Sequence, residues 1–328
     1  MTNLTTKVKK QHTVPKFLLK NFGLGKKEDN KKLFTFDKKK EKIFQQSVND
    51  ATTRNSFYNF VDTPQQLSLE SYLSEIESEA AIIIQNIIKS KSLSNLDSEK
   101  RETLSIFVLT QYFRTYGHLK LQESMIEKIA DKIRDMGFDP KDAKNLEYGN
   151  TTKLKNSFLL GILNAIENSI YISEKYWHLF ETDEENPFLI SDHPVVLNNE
   201  YNFGLYGNLG LGVKGVQVFL PISSTLLLAM FCPSYLIDLY KTKENAIWLS
   251  QNTILEDKLI NNINLILKNI ENFTKTEPIN LTYENVNFYN SLQISFSEQY
   301  IFSKKNDFSL VKKMLKDNKD LKNGFRIT

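Results

Sequence analysis

The stretch Phe188-Leu189-Ile190-Ser191-Asp192-His193-Pro194-Val195-Val196-Leu197-Asn198 decides the fold class, because two short apolar runs meet at a polar turn. Pro194 has no backbone N–H and disfavours the α conformation at His193, so the chain stays extended there. Asp192 is a residue type that bonds nearby backbone N–H groups in turns. One strand is therefore expected to end at Ser191 and another to begin at Val195. Two more apolar runs follow, Val216 to Leu220 and Leu226 to Phe231, and the four together predict a small, mainly antiparallel sheet. Between them lie Gly204, Gly207, Gly210, Gly212 and Gly215. Gly207-x-x-Gly210-x-Gly212 runs in the wrong order for a dinucleotide fingerprint, and no helix follows it, so the stretch is read as a flexible connection.

Outward from this sheet the chain reads mostly as helix. From Leu67 to Ser90 the apolar positions Leu69, Leu73, Ile76, Ala80, Ile83, Ile84, Ile87 and Ile88 recur at three- and four-residue steps, the pattern of an amphipathic helix. Asp97-Ser98-Glu99 opens a second long helix, which the pattern carries past Leu121 toward Arg134, with Gly137 and Pro140 as stop signals. A third is expected over Thr152 to Ser173, and others over Ser234 to Lys241, Ile254 to Asn269, Tyr283 to Gln299 and Phe308 to Leu315. Near the N-terminus Pro15 is suited to the first turn of a short helix that runs to Phe22 and stops at Gly23, leaving His12 just outside. Leu33 to Phe36 and Lys42 to Val48 flank a lysine-rich turn and read as a β-hairpin. The expected fold is α+β, a mainly helical single domain with a small antiparallel or mixed sheet and an N-terminal β-hairpin. Its parts are residues 1–66 (N-terminal helix, hairpin and loop), 67–176 (long helices), 177–232 (small sheet) and 233–328 (C-terminal helices), with no Pro/Gly/Ser-rich linker between them.

A chain of 328 residues, 41% of them hydrophobic, can bury a large core. The net charge of +3, from 42 basic and 39 acidic residues, excludes the strong overall field of a nucleic-acid coat protein, so any nucleic-acid contact must be local. Lysines cluster at Lys7 to Lys10, Lys38 to Lys42 and Lys312 to Lys322, where they could meet phosphates or form solvated faces. Cys232 is the single cysteine, which leaves no internal disulfide and no cysteine-based zinc site and fits a reducing, cytoplasmic location. The N-terminus has no sustained apolar stretch of the signal-peptide kind. Ala80 to Ile88 and Val216 to Cys232 are too short or too interrupted to cross a bilayer core of ~30 Å, so the protein is expected to be soluble, without a membrane partner.

Several polar residues stand in apolar surroundings and are candidates for chemistry. Glu70 and Glu77 share one helix face about 10 Å apart at 1.5 Å per residue. They can hold a divalent cation if a third ligand closes the gap, with Asp192 and His12 the available donors; otherwise they pair with arginines and fix helix packing. Gln111, Arg114 and His118 project from one face of the second helix, with His118 expected to be exposed. A buried arginine needs an anion, here Glu70, Glu77, Asp192 or a phosphate or carboxylate of a ligand. Asp192 is either a turn residue or a carboxylate aimed out of the sheet. Adjacent Ser191, Asp192 and His193 cannot converge as a hydrolase triad.

The motifs resemble those of an uncharacterised, mostly bacterial family, domain of unknown function 4238. Its opening pattern is similar to His12-x-x-Pro15-x-x-x-Leu19-x-x-Phe22, and its short aromatic segment to Arg54-Asn55-Ser56-Phe57-Tyr58. Leu69-Glu70 with Ile76-Glu77, Gln111-Tyr112-Phe113-Arg114-Thr115, Phe188 to Val195 with Leu220-Pro221-Ile222-Ser223, Asn290-Ser291-Leu292-Gln293 and Tyr300-Ile301-Phe302-Ser303 look like its later motifs. His193 departs from them, standing where the family usually carries Asn.

Residue types and this resemblance lead to an expectation of an intracellular hydrolase acting on a phosphate-containing substrate. The most concrete form is a metal-dependent nuclease, a toxin-like or phage-defence effector. His12 would be general base or ligand, Glu70, Glu77 and Asp192 would hold Mg2+ or Mn2+, and Arg114 with Gln111 would clamp phosphate. The alternative is a non-catalytic binding module for a small anionic ligand or protein partner, its motif residues forming a buried polar network. The readings differ in whether His12, Glu70, Arg114 and Asp192 meet in an open pocket.

Overall fold

The computed structural model describes residues 5–25, 27, 30–63, 67–143, 146–204, 209–252, 257–273 and 277–326. The chain opens with strand β1 (Lys10–His12), helix α1 (Lys16–Lys20), the hairpin β2 (Lys32–Asp37) and β3 (Lys42–Ser47), and the short strand β4 (Thr53–Asn55). Helices α2 (Glu70–Ser90), α3 (Ser98–Phe113), α4 (Tyr116–Asp135), α5 (Thr151–Leu163) and α6 (Ile170–Ser173) follow. The next five strands are β5 (Tyr176–Glu181), β6 (Ile190–Ser191), β7 (Val196–Asn198), β8 (Gln217–Pro221) and β9 (Leu226–Phe231). The chain then runs through α7 (Pro233–Asn252), α8 (Asp257–Phe273), β10 (Ile279–Asn280), α9 (Tyr283–Phe296), β11 (Tyr300–Ser303) and α10 (Ser309–Asp317). This is an α+β mixture with several sheets.

The expected single sheet is in fact two, joined by the turn quoted first. β6 belongs to a four-stranded sheet of order β3-β2-β11-β6, whereas β7 belongs to a five-stranded one of order β10-β5-β9-β8-β7. Residues 192–195 carry the chain from one to the other. β8 and β9 are buried at every position, so they show as continuous apolar runs rather than as alternation. β5 was missed in the sequence because His178 and Glu181 interrupt its apolar run, yet it pairs with β9 along its whole length, Tyr176 opposite Phe231 to Glu181 opposite Leu226. The predicted hairpin is present, and its partner comes from the far end of the chain: β11 pairs with β2, placing Ile301 opposite Phe36.

Several helices differ from expectation: α7 runs to Asn252, well past the expected end at Lys241, and the expected start of the next helix at Ile254 lies outside the described residues. The expected helix from Asp97 to Arg134 breaks at Arg114 and Thr115, where Thr115 is extended (φ −81°, ψ 156°) and its side chain accepts the His118 N–H as the N-cap of α4. Threonine favours this role because its hydroxyl satisfies a first-turn N–H that has no helical partner. The break cancels the predicted common face of Gln111, Arg114 and His118. The expected helix to Ser173 stops at Leu163 and resumes only as the four-residue α6. In the glycine stretch, Gly207 lies outside the described residues.

Lys38, in the lysine-rich turn, is fully buried rather than solvated. Its ammonium donates to the carbonyls of Ile294 (2.9 Å) and Ser297 (2.6 Å) at the end of α9, where helix carbonyls lack partners. Burial pulls its pKa down to about 8.

Candidate functional site

The motif residues at the N-terminus are held by a short ribbon in which β1 pairs with β4 and Gln11 lies opposite Arg54. Gln11 is buried and accepts the Tyr58 N–H at 2.7 Å while donating to Asn59 at 3.0 Å. That fixes Tyr58, whose hydroxyl oxygen accepts from Arg114 Nε at 3.0 Å. Arg114 is 2% exposed and sits at the end of α3, where the helix break turns it toward α2. Its Nη1 donates to Glu77 Oε1 at 2.5 Å and its Nη2 to the His12 carbonyl at 2.7 Å. Gln111, also buried, donates to the Thr13 carbonyl at 2.9 Å. All three guanidinium nitrogens therefore have protein partners, and Arg114 ties β1, α2, α3 and the Tyr58 loop together.

Against this tie opens a cleft of about 310 Å3 whose wall includes His12, Lys16, Glu70, Ser74, Glu77 and Arg114. Two of its residues carry buried polar atoms without a hydrogen-bond partner, His12 Nε2 and Glu70 Oε2. Burial, and after it the charge of Lys16, pulls the His12 pKa down to about 4. Burial pushes the Glu70 carboxyl above its ordinary value, with Arg114 opposing and Glu77 adding to the rise. Lys16 is exposed and forms no salt bridge with a described residue. The cleft thus presents a neutral imidazole, a partly desolvated carboxyl and an ammonium group.

Asp192 is elsewhere. Its carboxylate accepts the backbone N–H groups of Glu298 (2.8 Å), Gln299 (2.8 Å) and Tyr300 (2.9 Å), pinning the turn between the two sheets onto the start of β11. Beside it is a separate cleft of about 130 Å3, whose wall includes Thr13, Thr52, Arg54, Tyr116 and Tyr300. The adjacent residues lock the turn further. Ser191 Oγ donates to Gln293 Oε1 at 2.9 Å, and Gln293 Nε2 donates to the Pro194 carbonyl at 2.7 Å. His193 is buried, hydrogen-bonded through Nδ1 to Thr115 Oγ1 at 2.5 Å, and stacked on Phe296. Replacing Asp192 with Ala leaves three N–H groups short of an acceptor, at ~1–3 kcal/mol for each one that stays buried. The expected result is a loss of roughly 3 kcal/mol in urea denaturation, and a variant as stable as the parent would rule out the anchoring role.

The sequence placed His118 on the surface, but it is 7% exposed, held edge-on to Tyr112 and Phe113, with Nδ1 lacking a partner. The helix break turns it inward. Among the described residues no group of three His, Cys, Asp or Glu side chains is placed to hold a metal ion. Glu77 is engaged by Arg114 and Asp192 by backbone N–H groups, so the donor set expected for Mg2+ or Mn2+ is not assembled. The lysine-rich segments are partly engaged as well: Lys10 with Asp50, Lys39 with Glu298 and Lys322 with Glu41. No helix among the described residues is long and apolar enough to cross a membrane.

A family model described as "Protein of unknown function (DUF4238)" matches residues 10–307. The chain belongs to this family. No curated protein and no solved structure matches it. In this DUF4238 chain the first motif supplies β1, α1 and the near wall of the cleft, and the Glu70 and Glu77 motif supplies the far wall. The match ends before α10 and the C-terminal residues, from which Arg326 reaches back to the buried Glu298 at 2.7 Å. Tyr58, Lys16 and Thr115 carry functions that the sequence patterns do not single out, although each lies in or beside a DUF4238 motif. A tyrosine in an apolar segment that must place its hydroxyl and a threonine opening a new helical turn were the available signals for two of them.

Proposed function

We propose that this DUF4238 protein recognises a small ligand that carries an anionic group and a hydrogen-bond donor, bound in the cleft between β1, α1 and α2. One observation carries the reading: His12 Nε2 and Glu70 Oε2 are both buried without partners, and both residues belong to the wall of one open cleft. Buried polar atoms are almost always paired, and a ligand that supplies N–H or O–H groups and turns these two side chains toward the cleft completes the set. Lys16, beside them, supplies the charge for an anionic group. A pKa of about 4 leaves His12 neutral but weakly basic at pH 7, which suits accepting a ligand hydrogen bond better than removing a proton from water.

The raised pKa of Glu70 favours a second reading, hydrolysis of a phosphate-containing substrate with Glu70 as general acid; a nuclease is one form of it. The shared four-stranded sheet, built from residues 32–47, 190–191 and 300–303, supports one interleaved domain, and the single cysteine supports a cytoplasmic setting. Calorimetric titration with phosphorylated sugars, nucleotides and amino acids tests the binding reading. His12→Ala and Lys16→Ala are expected to weaken the best binder about tenfold each, ~1.4 kcal/mol, and variants that bind like the parent would refute it. Turnover of a phosphate ester that Glu70→Gln abolishes would establish the hydrolytic reading instead.

A further inference from the structure

Arg54 is a motif residue that the tie around Arg114 leaves without a role. It stands on β4 opposite Gln11, half-buried, with its guanidinium carbon 3.3 Å from the centre of the Tyr116 ring at the start of α4. Stacking engages the flat face of a guanidinium and leaves the N–H groups, which lie in its plane, free to donate. Among the described residues these N–H groups have no hydrogen-bond or ion-pair partner. A second cation stands near it. The Lys155 ammonium donates to the Phe57 carbonyl and lies over the Phe57 ring, and no described carboxylate pairs with it. Burial, and after it the charge of Arg54, pulls the Lys155 pKa down to about 8. Two neighbouring cations with no anion between them oppose each other's charged form, and an anion bound beside them relieves that repulsion.

Arg54 belongs to the wall of the cleft of about 130 Å3 beside Asp192, together with Thr13, Tyr116 and Tyr300 from segments spread between β1 and β11. The two carboxylates on that wall are already engaged: Asp50 pairs with Lys10, and Asp192 accepts three backbone N–H groups. The Tyr300 hydroxyl has no hydrogen-bond partner among the described residues. Sites that enclose a whole small molecule measure ~300–1,000 Å3, so this cleft takes one group rather than an entire metabolite. We propose that it binds a phosphate group, with the Arg54 guanidinium as a bidentate clamp and the Tyr300 hydroxyl as a further donor. The planar fork matches two phosphate oxygens. A phosphate monoester carries about −1.5 to −2 charges at pH 7, enough to answer both Arg54 and Lys155, whereas a carboxylate carries one. The site is separate from the His12 and Lys16 cleft and does not depend on what binds there.

Calorimetric titration of the full chain with inorganic phosphate, glycerol 3-phosphate and acetate at matched ionic strength tests the assignment. Each is run on the parent and on Lys16→Ala, in which the other cleft has lost its cation, so that phosphate bound by this variant is bound elsewhere. Phosphate is expected to bind both proteins, and acetate to bind Lys16→Ala far more weakly. An ester that binds at least as tightly as the free ion marks the group as part of a larger molecule. Adding Arg54→Gln to Lys16→Ala is expected to weaken phosphate about tenfold or more, the loss that follows removal of hydrogen bonds between charged groups. Tyr300→Phe should weaken it by a smaller factor. Neither the guanidinium nor the hydroxyl holds a hydrogen bond within the fold, and circular dichroism verifies that the variants are folded. Phosphate that fails to bind Lys16→Ala, binding that Arg54→Gln leaves unchanged, or acetate bound as tightly as phosphate would each overturn the proposal, and the first of these would leave the reading of the Lys16 cleft standing.

Discussion

Lowering the pH from 7 to 4 is expected to unfold the protein, because its histidines are held neutral in the fold. The chain has four. Burial pulls His12, His118 and His178 from the ordinary 6.5 to about 4 and His193 to about 3. The unfolded chain takes up these protons near pH 6.5, whereas the folded chain refuses them until about pH 4 or below. Stability is therefore fully present above pH 6.5 and is lost as the pH falls through that window. At about 1.4 kcal/mol for each pH unit between the two values, His118 and His193 together cost the fold on the order of 6 kcal/mol by pH 4. That is comparable with the whole stability of a typical domain, ~5–15 kcal/mol. The measurement is a circular dichroism titration. His118→Phe, which keeps a ring between Tyr112 and Phe113 and has no proton to gain, is expected to shift the acid midpoint to lower pH, and an unmoved midpoint would contradict the assignment.

Arg114→Ala is expected to be the most damaging single substitution at the N-terminal tie. It removes the cation opposite Glu77 and three donors at once, from Tyr58, the His12 carbonyl and Glu77. Breaking a buried ion pair from one side costs ~3–5 kcal/mol, corresponding to a melting temperature lower by about 4–7 °C in a chain of this size. Glu77→Gln should be milder, since the Glu77 side chain is 24% exposed and glutamine keeps an acceptor for Nη1. Arg114→Lys should behave more like the alanine variant, because one ammonium group cannot reach three partners placed around a planar fork. A calorimetric scan in which Arg114→Ala melts within a degree of the parent would mean that the guanidinium is free to serve a ligand.

Local patterns legible along the chain were those with a short period or a fixed backbone demand. The apolar repeat of α2 placed that helix to within a few residues, the hairpin β2–β3 followed from two apolar runs around a turn, and Pro194 marked the connection between two strands. Glu70 and Glu77 could be set on one face by counting turns, and both do line one cleft. The helix break at Thr115 was harder to see, because threonine is compatible with a helix interior and only the cap geometry distinguishes the two roles.

What the sequence by itself determined was the α+β class, the family and a short set of polar residues that apolar surroundings force into pairs. Tertiary structure alone decided the pairing. Arg114 chose Glu77 over Asp192 because α3 ends beside α2, while Asp192 is carried to the junction of two sheets and consumed by the N–H groups of residues 298–300. The physical reason is that a carboxylate accepts from any well-placed donor, so its partner depends on which backbone lies within about 3 Å, and that distance arises from contacts between segments as far apart as β2 and β11. The same holds for His118, whose burial follows from the break at Arg114 and Thr115 that redirects an entire helix.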